Sequence, residues 1–332
     1  MKKVTSFDVA KLAGVSQPTV SRALRNLPGT SVETRRKVLE AAAELSYIPS
    51  DSARSLSTTR SRRIAVVAEE LTNPYYPELV EPIRRHLARH DLRTVVVTDS
   101  EHREVGPETL ADGSYDGVIL MTTLRTSALP RDLTERGIPH VLVNRVLDQP
   151  ESPSCSVDNT AGARMIAELL ADLGHRRVGL LQGPVATSTG RERAESLRKA
   201  LRTRGIHVRR DAMARTAFEH DAGRVAAGRL LDRAERPSAI VGGNDVIALG
   251  VLSAARERGL RVPEDLTVIG FDDIPMAGWP LIGLTTVHCD LERLAGTAVD
   301  LLRSAMSTPG PAKVERIPVS LVLRGTHGPS PE

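Results

Sequence analysis

Two sets of side chains in this sequence are of types that do chemistry, and they lie far apart along it. In the first, near the amino end, Gln17, Ser21 and Arg25 fall on one face of a short helical stretch, with Pro18 and Arg22 beside it. Gln and Arg can each make paired hydrogen bonds to adenine or guanine edges in a DNA major groove. Thr5, Ser16 and Thr19 are placed to bond phosphates, which fixes register without reading sequence. The second set follows predicted strands. Asn144 and Arg145 come after 140–143, Asn244 after 238–242 and Asp272 after 266–270, and Arg193 sits on the first turns of the helix after 177–181. A carboxylate and two amides exchange hydrogen bonds with neighbouring hydroxyls, and a guanidinium clamps two oxygens, so this set suits a polyol or sugar.

A catalytic set is harder to find. The chain lacks a G-x-G-x-x-G after a strand, a P-loop, a G-x-S-x-G and an H-E-x-x-H. Asp272 and Asp273 are adjacent, and adjacent side chains usually point apart. His86, His90 and His220 show no metal-ligand spacing and read as surface residues. No enzyme, metal or cofactor is expected.

The elements that must position these groups fall into two patterns. Residues 1–49 read as three short helices. Thr5 and Asp8 have capping-box spacing, with Val9, Leu12 and Ala13 expected inward, and Gly14 suits the left-handed turn that ends the helix. Ser16 caps a second helix with Pro18 in its first turn; Val15, Val20, Ala23 and Leu24 face inward. Ser31 caps a third helix striped by Val38, Ala41, Ala42 and Leu45. Residues 50–60 form a linker with a single large apolar residue, Leu56, too short to hold a helix alone in water. From residue 61 onward, apolar β-branched runs (64–68, 93–97, 117–120, 140–143, 176–181, 238–242, 266–270) alternate with helical segments. That is the signature of parallel sheets covered on both faces. The span 61–332 predicts two similar α/β lobes, with a crossover near 158–160 and a return near 285–290, the late strands being 285–287 and 317–323.

Charge separates the same two regions. Twelve Lys and Arg against five acids put +7 on residues 1–63 of a chain whose total is +4, leaving −3 on the rest. A basic module on a mildly acidic body is suited to a polyanion, although charge alone also fits a solvated basic surface. Cys155 and Cys289 lie too far apart in sequence for a disulfide framework and read as buried small residues of a cytoplasmic protein. The amino-terminal stretch is broken by Asp8 and Lys11, so it is not expected to act as a signal peptide, and no run approaches a membrane span.

The run VTSFDVAKLAGVSQPTVSRAL (4–24), with SVETRRKVLEAAAELSYIPS (31–50) and ARSL (53–56), resembles the signature of the LacI/GalR family of bacterial transcriptional regulators. Further similarity runs through LTNPYYPELV (71–80), VLVNR (141–145), VDNTAGARMIAELLADLGHRRVGLL (157–181), GRERAESL (190–197), GGNDVIALGVL (242–252) and RVPEDLTVIGFDD (261–273). The resemblance implies an all-α helix-turn-helix domain joined to an α/β, two-lobed, Rossmann-like body of the type I periplasmic-binding-protein kind. It implies that Gln17 and Pro18 help to set operator choice, that Arg22 contacts bases, and that Ala53 and Leu56 belong to a hinge whose leucine wedges into the minor groove. In the body it implies polar effector contacts from Arg193, Asn244 and Asp272, with Tyr75 and Phe218 as aromatic walls and Arg145 nearby; aromatics make up only 2% of the chain.

From this follows the expectation of a homodimer on pseudo-palindromic double-stranded DNA, paired through the body and released by a small, sugar-like effector. A dimer is expected rather than a tetramer because no heptad pattern follows Arg324. Alternatives within reach are a corepressor-dependent repressor sensing a purine or other metabolite and, more remotely, a sugar-converting enzyme or a solute-binding protein. In one place the chain departs from the family pattern. SEHREVGPETLADGSYDG is shorter than the usual helix there and is interrupted by Gly106–Pro107, which bears on the dimer interface and the cleft rim.

Overall fold

The computed structural model describes residues 4–24, 26–47, 61–68, 71–98, 105–308, 310 and 312–331. The chain divides into two compact units between Ser61 and Arg62. In the first, α1 (Ser6–Ala13), α2 (Gln17–Leu24) and α3 (Val32–Glu44) enclose a small core of Val9, Ala10, Val20, Ala23, Val38, Ala41 and Ala42. Gly14 ends α1 at φ 65°, and the Ser31 hydroxyl accepts the Thr34 amide at 3.1 Å to start α3. Leu12 is a correction to the expected inward set, since it is 46% exposed. At 100° per residue the inward face is centred on Val9, Ala10 and Ala13, and position 12 falls to its flank.

The second unit holds two six-stranded sheets. One is wholly parallel and runs in the order β11-β5-β4-β3-β1-β2, from β1 (Arg63–Val67), β2 (Arg93–Val97), β3 (Gly117–Leu120), β4 (His140–Val143), β5 (Ser154–Val157) and β11 (Val314–Ile317). The other runs β12-β10-β9-β8-β6-β7, from β6 (Val178–Gln182), β7 (Met213–Arg215), β8 (Ala239–Gly242), β9 (Thr267–Asp272), β10 (Thr285–Cys289) and β12 (Val319–Val322), with β12 alone antiparallel to its neighbour. The helices between them are α4 (Tyr75–Ala88), α5 (Pro107–Leu110), α6 (Leu129–Glu135), α7 (Asn159–Asp172), α8 (Ser188–Thr203), α9 (His220–Leu231), α10 (Asp245–Glu257) and α11 (Leu291–Ser307). Where the resemblance implies a longer helix, α5 has four residues.

The chain passes between the lobes three times. After β5, Asp158 caps α7, its Oδ1 accepting the Ala161 amide at 2.8 Å, and the chain enters the second lobe. After β10, Asp290 caps α11 in the same way, and α11 packs back on the first lobe against β3, β4 and β5. The third passage lies at Pro318. The run 317–323, expected as one strand, is cut there into the end of β11 and the whole of β12, which belong to different sheets. Proline has no amide hydrogen for a ladder, so a strand ends well there.

Three strands were not anticipated. β5 reads Ser-Cys-Ser-Val, a weak strand composition, yet all four residues are buried between β4 and β11. The others, β7 and β11, lie at sheet edges. His86 is also more enclosed than a surface residue, with its Nε2 3.0 Å from Glu292, tying α4 to α11.

Candidate functional site

Between the two lobes of the body, at the carboxyl ends of the strands, lies a small cavity of about 20 Å³. Such sheets place ligands there because loops from many strands converge on one crevice. Strand β4 delivers Asn144 and Arg145, with Asn144 in a left-handed conformation at φ 65°. From β8 come Gly243 and Asn244, and β9 ends on Asp272 at φ 118°, followed by Asp273 at φ 58°. Consecutive non-glycine residues at positive φ are strained, and strain of this kind persists where the surroundings enforce it. Helix α8 contributes Thr189 and Arg193 from its first two turns, and the start of α4 contributes Asn73, Tyr75 and Tyr76.

Arg193 is the best-anchored side chain in the cleft. Its Nη2 donates to Asp272 Oδ1 at 2.8 Å, Nη1 to the Gly243 carbonyl at 2.9 Å and Nε to Asn159 Oδ1 at 2.9 Å, and its guanidinium lies 3.8 Å over the Phe271 ring. Burial raises the Asp272 carboxyl above its usual range, and the Arg193 charge pulls against that shift. Tyr75 donates to Asn144 Oδ1 at 3.2 Å, and burial pushes its phenol well above its ordinary value. The Asn244 Oδ1 caps α10, accepting the Ile247 amide at 2.9 Å, so its amide nitrogen is the end that can serve a ligand. Phe218 covers one side of the cavity over Gly183, where a Cβ would lie 2.1 Å from the ring, so only glycine permits that approach.

All six body residues expected at the site (Tyr75, Arg145, Arg193, Phe218, Asn244 and Asp272) therefore line one cavity. Asn73 and Thr189 join them without having been anticipated. Asn73 precedes a proline at a helix start, and its Oδ1 accepts the Tyr75 amide at 3.1 Å, a turn role that the N-P dipeptide could have suggested. Thr189 is one of several hydroxyls around Gly190, and nothing in its sequence context distinguishes it from its neighbours.

Behind the cavity wall lies Asp245, fully buried, accepting the Ile274 amide at 2.9 Å and the Thr286 hydroxyl. Burial pushes its carboxyl well above the ordinary value, and the charge of Asp272 adds to the effect. A carboxyl whose pKa is raised on folding binds its proton more tightly in the folded state. Its contribution to stability is thus fully present below the unfolded-chain value near ~3.9 and is lost as pH rises through the folded value. Asp245→Asn keeps the shape without the titration. The melting temperature of the variant relative to wild type should therefore rise from about pH 4 to about pH 8; a pH-independent difference would show that Asp245 does not titrate on folding.

In the amino-terminal unit, Ser16 caps α2, with its Oγ 2.8 Å from Thr19 Oγ1, and Gln17 donates to Ser6 Oγ at 3.2 Å. The Thr5 hydroxyl donates to Asp8 at 2.7 Å. Pro18 and Arg22 are exposed, and Ser21 is half-buried. Arg25, Ala53 and Leu56 lie outside the described residues.

A three-helix unit with a polar second helix, joined to a two-lobed α/β body with a cleft at its strand ends, defines a ligand-responsive helix-turn-helix regulator. The sequence model of bacterial regulatory proteins of the lacI family matches residues 7–50, and that of the periplasmic binding protein-like domain matches residues 167–327. The chain is 33% identical over 331 residues to the HTH-type transcriptional repressor CytR of Escherichia coli, covering 97% of this chain and 96% of that one. It superposes on the lac repressor dimer bound to operator and the anti-inducer ONPF with a TM-score of 0.86 at 29% identity, covering 98% of this chain and 99% of that one. A complex of the transcriptional regulator CelR with cellobiose gives a TM-score of 0.74 at 29% identity, covering 98% and 100%. The chain belongs to the lacI family of bacterial regulatory proteins and is a DNA-binding transcriptional regulator with an effector-binding body. Among the described residues no helix is long and apolar enough to cross a membrane.

Proposed function

We propose that this regulator is a repressor of sugar uptake or catabolism genes. In this reading it acts in the cytoplasm as a homodimer on a pseudo-palindromic operator and is released by a small, sugar-like effector bound between the lobes of its body. The observation that carries this reading is the cleft itself. An anchored guanidinium, a carboxylate, two amides and an aromatic wall converge on one small cavity. The polar partners match the alternating donors and acceptors of a polyol, and a regulator of similar fold is known bound to cellobiose.

In this reading, release works through the lobes. An effector that favours the closed arrangement of the lobes shifts the surface each body presents to its partner, and the paired reading heads lose their spacing. For a near-complete switch the effector must favour the released state by on the order of 10⁴-fold.

The operator is found by selecting random duplexes on the full-length protein, and the selected sequences should be inverted repeats. Arg22, exposed on α2, reads a base in this account. Arg22→Ala should weaken binding to the selected operator by roughly 10–100-fold, the ~1–3 kcal/mol of a paired base contact, with little change on random DNA. An equal loss on both would reduce Arg22 to a phosphate contact. Failure to enrich any inverted repeat would count against the repressor reading as a whole.

A further inference from the structure

The cleft holds two guanidiniums and one carboxylate. Asp272 is committed to Arg193 at 2.8 Å. Arg145 is 4% exposed, and no carboxylate among the described residues is in ion-pair contact with it. Its Nη2 donates to the Tyr76 hydroxyl at 2.6 Å and its Nη1 to the Thr189 hydroxyl, while its Nε is buried without a partner. The Phe218 ring lies 6.0 Å from the guanidinium. Asp148, the acidic residue three positions on, is taken up by Arg125 and Arg191 at the cleft edge. Two hydroxyls and a ring meet part of its hydrogen-bonding capacity and bring no negative charge.

Asp272 acts on Arg145 as well as on Arg193, so two buried cations share one carboxylate, and a buried charge that is not fully compensated is costly. A neutral polyol would give Arg145 more hydroxyls and leave the imbalance as it is. A carboxylate or phosphoryl group would complete it, and the flat fork of a guanidinium fits both.

We infer that the effector of this protein carries an anionic group, received by Arg145 at the Tyr76–Thr189 side of the cleft, while Arg193, Asp272 and Asn244 hold its hydroxyls. This rests on the cleft being the effector site. The shared chemistry is a sugar bearing one acidic substituent, and the two forms of that substituent are separated by the choice of probe.

The test uses the full-length protein with glucose, glucuronate, glucose 6-phosphate and inorganic phosphate at matched ionic strength, read by calorimetry and by melting temperature. Glucuronate or glucose 6-phosphate should bind at least ~tenfold more tightly than glucose, and whichever is tighter identifies the acidic group. Arg145→Met should bring that ratio to about one and remove the stabilisation by inorganic phosphate. Arg145→Lys, which keeps the charge without the fork, should keep part of the preference. Without ligand, Arg145→Met should melt no lower than wild type, because it removes a charge that is not fully compensated.

Glucose binding that matches or exceeds both acids, and that depends on Asp272 but not on Arg145, would overturn the anionic group and leave the cleft reading standing. Acid binding indifferent to both Arg145→Met and Asp272→Asn would remove the cleft reading itself. If no probe, inorganic phosphate included, stabilises wild type more than Arg145→Met, the inference is overturned as well.

Discussion

Asp272→Ala should destabilise the full-length protein by about 3–5 kcal/mol and leave its operator complex unresponsive to effector. The size of the loss comes from the partner left behind. With its carboxylate gone, Arg193 remains buried in the cleft with only the Gly243 carbonyl, the Asn159 amide oxygen and the Phe271 ring around it. An unpaired charge in such a place costs far more than the pair contributed when intact. The double variant Arg193→Met with Asp272→Leu should therefore regain most of the lost stability, because apolar groups of similar volume often replace a buried pair at little cost. It should not regain the response to ligand, since both polar contacts are gone. Chemical denaturation of the two single variants and the double variant forms a cycle. A single-variant loss under ~1 kcal/mol would mean that water reaches Arg193 and that the cleft is wetter than its burial indicates.

The second large effect concerns pairing. Beyond the short 3-10 turn at Pro275–Gly278, Trp279 is 57% exposed and Leu281 is 100% exposed. Leu281 borders a groove floored by Leu249, Leu252, Leu260 and Val262. Large apolar side chains grouped on one face mark an interaction surface more often than isolated ones do. The lac repressor, similar over nearly the whole chain, is described as a dimer on its operator, and a two-fold interface presents the same patch twice. In the proposed homodimer this patch would meet its own copy, and Leu281→Arg would place two cations in one self-complementary contact. It should convert the protein to monomer at micromolar concentration, and coupling between two reading heads should fall by ~10²–10⁴ in operator affinity. Sedimentation and operator titration read the two effects separately. A variant that stays dimeric would move the interface elsewhere on the body.

How much of this was legible in the sequence depends on how local each signal is. The capped helices of the first unit, the parallel strands rich in Val and Ile, and the polar residues following them carry their meaning within a few positions. Gly14, Ser31, Asn144 and Asp272 are of this kind. What stayed hidden depends on distant partners. Strand β5 is a strand because β4 and β11 flank it, whatever its serines prefer. Pro318 looks like an irregularity within one strand until its two sides prove to lie in different sheets. The charge imbalance at Arg145 could not be read from VLVNR, because it turns on which residues 40 to 70 positions away supply hydroxyls and which supply carboxylates. Leu12 shows the opposite failure, a local apolar signal overruled by which side of the helix the rest of the core occupies.

The triple passage of the backbone between the lobes, after Val157, after Cys289 and at Pro318, has a mechanical corollary. One connecting thread would let the halves swivel and slide in any direction. Three threads side by side leave bending about a single line as the soft motion, as the knuckles of a door hinge do. Each half is also stitched from separate stretches of chain, so cleaving any one thread would leave both halves joined and would relax the constraint on how they swing.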